Sequence, residues 1–93
     1  MKKLELIVGS YELKKFIDIL EEVKTAGYTI LPDAYGRGRH GKRVRDELTE
    51  VNRRNIIICV DKEVKINEAI EKLKPMKDNY SFKAFVYDVT DVL

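Results

Sequence analysis

The sequence predicts an α+β fold of the ferredoxin-like type: a βαββαβ sandwich whose four-stranded antiparallel sheet carries two helices on one face. The first observation is length, because 93 residues suffice for one small domain. The second is that strand-like and helix-like hydrophobic patterns follow one another in the order βαββαβ. The third is that no apolar run approaches the ~20 residues that cross a bilayer. Two fused β-α-β units give this sandwich, so we expect a single domain over residues 1–93.

Hydrophobic spacing predicts the first strand and the first helix. Residues 3–8 alternate between apolar and mainly polar positions, which is typical of a strand. Ser10 is a candidate N-cap for a helix over residues 11–26, where apolar residues recur at helical spacing. Gly27 is placed to end this helix in the left-handed conformation.

The next two strands differ in character. Residues 28–35 predict a strand that Pro32 interrupts or places at an edge, because proline cannot donate to the ladder. Residues 56–60 form an unbroken apolar run, which favours a central strand covered on both faces. Cys59 is the single cysteine; its apolar neighbours indicate a core position, and one cysteine fits a reducing cytoplasm.

The last two elements complete the pattern. Asp61 is a candidate N-cap for a helix over residues 64–73, and Pro75 marks its end. Residues 82–89 predict the fourth strand.

One face of the predicted sheet lacks a covering layer. The apolar side chains available to it are Ile7, Cys59 or its neighbours Ile58 and Val60, Phe85 and Tyr87. Such a face is usually closed by self-association or used for binding. We therefore expect an oligomer.

Arginine is confined to one stretch of the chain, residues 37–54. The six arginines are Arg37, Arg39, Arg43, Arg45, Arg53 and Arg54; Lys42 and His40 lie among them, and the glycines are Gly36, Gly38 and Gly41. Guanidinium groups bind carboxylates and phosphates bidentately, and glycines let backbone N–H groups approach an anion. Although the whole chain carries a net charge of only +2, this stretch carries about +4. It predicts an anion-binding loop, flexible over about residues 36–54.

Several other functions fit the sequence poorly. An RNA-recognition domain needs aromatic residues on its central strands, and residues 4–8 and 56–60 contain none. An acylphosphatase-type enzyme would carry an arginine in the first strand–helix loop, which here spans residues 9–11 without one. No nucleophile has a visible activating partner, so we expect no enzyme. A metal at His40 is disfavoured because no second ligand is suitably spaced.

Three segments resemble the PII signalling-protein family. Residues 27–30 followed by Gly36-x-Gly38-Arg39 are similar to its second strand and the start of its T-loop, residues 85–92 to its last core strand, and residues 3–8 to its first strand. The resemblance covers nearly the whole chain. It implies a cytoplasmic homotrimer that binds an adenine nucleotide (AMP, ADP, ATP or cyclic AMP) between subunits. It also implies control of a membrane transporter or metabolic enzyme through the loop, without membrane insertion and without nucleic acid as a partner.

The resemblance assigns roles to individual residues. Those expected at the ligand are Thr29, Gly36, Arg37, Gly38, Arg39, Gly41 and Lys83. Those expected to contact phosphates or the partner are Lys42, Arg43, Arg45, Arg53 and Arg54.

The sequence also departs from the family pattern. The turn over residues 77–82 has no glycine where the family has a glycine-rich phosphate loop, and no tyrosine lies between Val44 and Arg53 as a uridylylation site. We therefore expect a divergent PII-like member instead of a typical nitrogen regulator. The rival hypothesis is a module that binds an acidic protein or nucleic acid through residues 37–54 and takes no small molecule.

Overall fold

The computed structural model describes residues 1–34 and 53–93. Within these residues the main elements follow the predicted βαββαβ order. Their bounds are β1 Lys2–Gly9, α1 Leu13–Val23, β2 Thr29–Ala34, β3 Arg54–Asp61, α2 Glu63–Leu73 and β4 Lys83–Asp88. A 3₁₀ turn, Ser10–Glu12, precedes α1, and another, Lys74–Asp78, follows α2.

The four strands form one antiparallel sheet in the order β2-β3-β1-β4. The two central strands, β1 and β3, pair along their whole length, from Lys2 opposite Asp61 to Gly9 opposite Arg54. Strands β2 and β4 are the two edges. The predicted ferredoxin-like fold class is confirmed.

The core lies between the sheet and the two helices. Every second residue of β1 is buried there (Leu4, Leu6 and Val8), as the alternation predicts. Each helix adds an apolar stripe: Phe16, Leu20 and Val23 from α1, and Ile66, Ala69 and Leu73 from α2. Phe82, just before β4, closes this core, and its ring meets the ring of Phe16 edge-on at a centroid distance of 4.8 Å.

Strand β3 is covered on one face only, so the expectation of two covered faces is wrong. Ile57 and Cys59 point into the core, whereas Ile56 and Ile58 are half-buried and Val60 is exposed on the opposite face. The continuous apolar run therefore supplies one face that packs against the helices and a second apolar face that the described residues leave open. Cys59 is a core residue, as predicted.

Both predicted caps of helix α1 are wrong. Helix α1 ends at Lys24, which adopts the left-handed conformation with φ 62°, three residues before Gly27. Its backbone N–H donates to the last carbonyls of the helix, which stabilises a lysine there. Ser10 lies inside the 3₁₀ turn, and its hydroxyl donates to the Arg53 carbonyl at 3.2 Å instead of capping α1.

Asp61 is buried at the end of β3, and its carboxylate binds both the segment after α1 and the residue before α2. Its Oδ2 accepts the Ala26 N–H at 2.8 Å, and its Oδ1 accepts the Lys62 N–H at 2.7 Å. The N-cap of α2 is Lys62, so the predicted capping role of Asp61 is wrong. The carboxylate instead fixes the turn after α1 against the start of α2.

Replacing Asp61 by alanine should lower the free energy of unfolding by about 1–3 kcal/mol, because two partly buried N–H groups lose their hydrogen bonds to a charged acceptor. Urea denaturation followed by circular dichroism measures this. Asp18→Ala is the matched control, since the Asp18 carboxylate pairs with Lys14 at an exposed position and its loss should cost less than about 0.5 kcal/mol. Equal losses in the two variants would contradict the assigned role.

Candidate functional site

The open face of the sheet carries apolar side chains from all four strands. Directly opposed residues of an antiparallel pair project from the same face, so the register identifies its members. They are Lys3, Glu5 and Ile7 of β1, Thr29 and Leu31 of β2, Ile56, Ile58 and Val60 of β3, and Lys83, Phe85 and Tyr87 of β4. Leu31, Phe85 and Tyr87 are 43–47% exposed. A contiguous apolar surface of this kind marks an interaction site.

A short polar network crosses this open face. The Tyr87 hydroxyl donates to Glu5 Oε2 at 3.1 Å, and the Lys3 ammonium lies 4.5 Å from the centre of the Tyr87 ring. The hydrogen bond to the Glu5 carboxylate, followed by burial, raises the pKa of the Tyr87 phenol. Charges within an apolar surface restrict which surface can cover it, because any covering group must satisfy them.

A second group of residues lies on the two described segments that flank residues 35–52. Asp33 is the last residue but one of β2, and Arg53 immediately precedes β3. Asp33 Oδ1 lies 3.7 Å from Arg53 Nη1. The Arg53 carbonyl accepts hydrogen bonds from Ser10 Oγ at 3.2 Å and from Arg54 Nη1 at 3.1 Å. Arg54 itself is the first residue of β3, so the predicted loop ends one residue earlier than expected.

Asp33 owes its position to an irregularity in β2. The β2–β3 register shifts between Leu31 and Ala34, and Asp33 has φ 59°. Aspartate is among the few residues that adopt this region readily. Sequence analysis flagged the interruption at Pro32 but missed Asp33. The available signal was an aspartate directly after a strand proline, which favours a bulge or turn.

The glycine-free turn over residues 77–82 is held by its own side chains. The Lys77 ammonium donates to the Phe82 carbonyl and lies 4.5 Å from the centre of the Phe82 ring. Lys15 of α1 lies 5.2 Å from the centre of the Tyr80 ring. Side-chain contacts therefore order this turn.

A recess of about 250 Å³ lies beside Met1 and the segment that follows β4. It is lined by Met1, Val60, Val89, Thr90 and Asp91. Thr29 and Lys83, the two predicted ligand residues that the structure describes, do not line it.

The described residues offer little for metal or covalent chemistry. Residues 1–34 and 53–93 contain no group of three or more His, Cys, Asp or Glu side chains able to hold a metal ion. Cys59 is 1% exposed, and burial raises the pKa of its thiol, unlike a reactive cysteine. In the described part of the chain, no helix has the length and apolar character needed to cross a membrane.

Comparison with known families decides the assignment. The sequence model of the family described as "Nitrogen regulatory protein P-II" matches residues 1–93. The chain belongs to the P-II family. No match was found among curated protein sequences.

Solved structures agree with this P-II assignment. CPII of Thiomonas intermedia K12, a nitrogen regulatory PII-like protein bound to ADP, AMP and bicarbonate, shares 27% identity and a TM-score of 0.78; the match covers 95% of this chain and 88% of that one. The apo form of CPII shares 25% identity and a TM-score of 0.75, over 95% and 87% of the two chains. A PII-like protein of Thermus thermophilus, at 19% identity, 95% and 84% coverage and a TM-score of 0.74, shows the same fold.

Two residues predicted at the P-II ligand lie on opposite edges of this sheet. Thr29 opens β2 and Lys83 opens β4, both on the open face and both exposed. Three strand spacings separate the edges, which is about 14 Å. One chain therefore does not bring Thr29 and Lys83 together.

Most of the predicted site falls outside the described residues. This applies to Gly36, Arg37, Gly38, Arg39, Gly41, Lys42, Arg43 and Arg45, and to His40. Of the predicted contacts, the structure places Thr29, Lys83, Arg53 and Arg54.

Replacing Glu5 by glutamine should lower the pKa of Tyr87, because the charged acceptor that favours the neutral phenol is lost. NMR titration of the tyrosine ring carbons measures this shift. Since the pKa of Tyr87 is raised in the folded chain, its stabilising contribution is full below the unfolded pKa and is lost as pH rises through the folded one.

Tyr28 provides the matched control, because its hydroxyl donates to Glu21 at 2.7 Å, and that bond raises its pKa too. Glu21→Gln should shift Tyr28 alone. If the titration midpoint of Tyr87 is the same in Glu5→Gln as in the unaltered protein, the hydrogen bond between Tyr87 and Glu5 does not persist in solution.

Proposed function

We propose that this P-II family member is a cytoplasmic, non-catalytic regulator. It binds an adenine nucleotide between the subunits of a homotrimer, and it controls a membrane transporter or metabolic enzyme through its basic segment, residues 37–54. The observation that carries the nucleotide part is the likeness, over 95% of the chain, to CPII structures bound to ADP and AMP.

The placement of Thr29 and Lys83 supports a site between subunits. The two residues lie on opposite sheet edges of one chain, so a shared ligand requires the β2 edge of one protomer beside the β4 edge of another. The open face supports association independently, because its apolar side chains gain about 25 cal/mol per Å² when covered. Cyclic assembly satisfies both conditions, since every protomer then offers one edge of each kind.

The charge distribution supports a regulatory role for the basic segment. Its cations repel one another in the absence of an anion, and a bound phosphate reduces that repulsion. A ligand that favours one arrangement of the segment changes what the segment can bind. The segment's arginines suit an acidic protein surface as the target.

Isothermal titration calorimetry with AMP, ADP, ATP and cyclic AMP tests the nucleotide part. We expect at least one of them to bind with a Kd below about 1 mM, equivalent to about 4 kcal/mol. Arg39→Ala and Lys83→Ala should each weaken binding about tenfold, the scale of one lost hydrogen bond to a charged group. Lys14→Ala, which removes an exposed lysine that pairs with Asp18 on α1, should leave the affinity unchanged.

Mixed oligomers separate an intersubunit site from one within a single chain. Thr29→Ala and Lys83→Ala protomers, each weak alone, should regain some sites of normal affinity when co-assembled, because some interfaces then carry neither substitution. Binding that stays weak in every mixture would exclude the intersubunit arrangement. Failure of all four nucleotides would favour the rival interaction module.

A charge at the centre of the open face should dissociate the trimer. Ile58 lies between Glu5 and Thr29 in the register, and Ile58→Lys places an ammonium where assembly would bury it. Light scattering should then give the monomer mass, against three chain masses for the unaltered protein.

Val64→Lys is the control, because Val64 is an apolar residue that is 72% exposed on α2. Its oligomeric state should not change. A monomeric unaltered protein would overturn the assembly proposal.

A further inference from the structure

Asp33 and Arg53 meet at the base of the basic segment. Asp33 is the last charged residue before residues 35–52, and Arg53 is the first residue after them. Their side chains lie 3.7 Å apart, with Asp33 64% and Arg53 38% exposed. Exposed ion pairs of this kind are weak because water screens them. The contact is therefore within reach of exchange with another anion.

The backbone holds Asp33 beside Arg53. The register shift in β2 and the φ of 59° at Asp33 place its carboxylate there. The other side of the contact is also held, because the Arg53 carbonyl accepts hydrogen bonds from Ser10 and Arg54. Because the backbone is held on both sides, the Asp33 side chain can leave Arg53 without a change in the backbone.

We propose that Asp33 is an internal competitor for the phosphate of the nucleotide at Arg53. Without ligand, the Asp33 carboxylate pairs with the Arg53 guanidinium, and a phosphate displaces the carboxylate. This rests on the proposed nucleotide binding and adds to it a residue that lowers affinity and thereby sets the ligand concentration to which the protein responds.

A phosphate is a better partner than Asp33 for two reasons. It carries a larger negative charge than one carboxylate, and it offers three acceptor oxygens to the planar guanidinium. The exchange leaves the Asp33 carboxylate in water, where its exposure makes solvation inexpensive. Displacement of Asp33 therefore costs roughly the worth of one exposed ion pair.

Two matched variants isolate this effect. Asp33→Asn removes the charge but keeps a side chain that tolerates positive φ, so the bulge is retained. Asp18→Asn removes a carboxylate that is 60% exposed and paired with Lys14 on α1. The two variants change the net charge equally, and only the first alters the contact at Arg53.

The probes are inorganic phosphate, AMP and adenosine, followed by NMR of the Arg53 Nε–Hε group. Asp33→Asn should tighten phosphate and AMP binding about two- to fivefold, the range for one exposed ion pair, and leave adenosine unchanged. Asp18→Asn should match the unaltered protein for all three. In the unaltered protein, phosphate should also shift the Asp33 side-chain carbon resonance, which tests the exchange without a substitution.

The outcomes separate this inference from the proposed function. Tighter phosphate binding in Asp33→Asn, together with failure of all four nucleotides in the calorimetric titrations, supports the competition at Arg53 and removes the nucleotide proposal. AMP binding that is equal in Asp33→Asn and the unaltered protein overturns the inference and leaves the nucleotide proposal intact. The inference is also overturned if neither phosphate nor AMP shifts the Arg53 Nε–Hε resonance in any variant. It is overturned as well if Asp33→Asn tightens adenosine binding as much as it tightens phosphate binding.

Discussion

Two short helices can cover only one face of a four-stranded sheet, and much of this molecule depends on that constraint. The helices bury one side of β1 and β3, which provides the core. The same strands carry Ile7, Ile56 and Ile58 on the other side, where residues 1–34 and 53–93 supply no covering layer. An interior is thus complete on one side of the sheet while the opposite side keeps an apolar surface. One face of these strands stabilises the single chain, and the other carries the apolar surface on which the proposed association depends.

Hydrophobic spacing was enough to predict the architecture from the sequence. Alternation in β1 and the helical stripes of α1 and α2 report burial directly, and burial decides these elements. Spacing failed at β3, because an apolar run looks the same whether its second face is covered by helices or left open for a neighbour. The predictions of the helix caps were wrong for a different reason. The backbone at Lys24 is determined by hydrogen bonds to the end of α1, and the partners of Asp61 include Ala26, far away in sequence.

The candidate site was less accessible to sequence analysis than the fold. Arginine content and glycine spacing identified the basic segment, and likeness to a family supplied Thr29 and Lys83. Neither source gives the distance between two sheet edges, which follows from the strand order alone. Asp33 was missed because its importance comes from a backbone irregularity and from proximity to Arg53, a residue twenty positions away. Local sequence patterns do not reveal side chains whose role depends on a tertiary contact.

The end of α1 bears on how the chain folds as it is synthesised. The Val23 carbonyl accepts a hydrogen bond from Lys65 Nζ at 2.9 Å, and the Ala26 N–H donates to Asp61. Both partners belong to the second half of the chain. A nascent chain that has emerged only through β2 therefore lacks two groups that fix the end of α1 against the rest of the fold, and it also lacks β3, which separates β1 from β2 in the sheet. The two halves of this fold depend on each other, because the contacts of α2 with the end of α1 form only after α2 has left the ribosome.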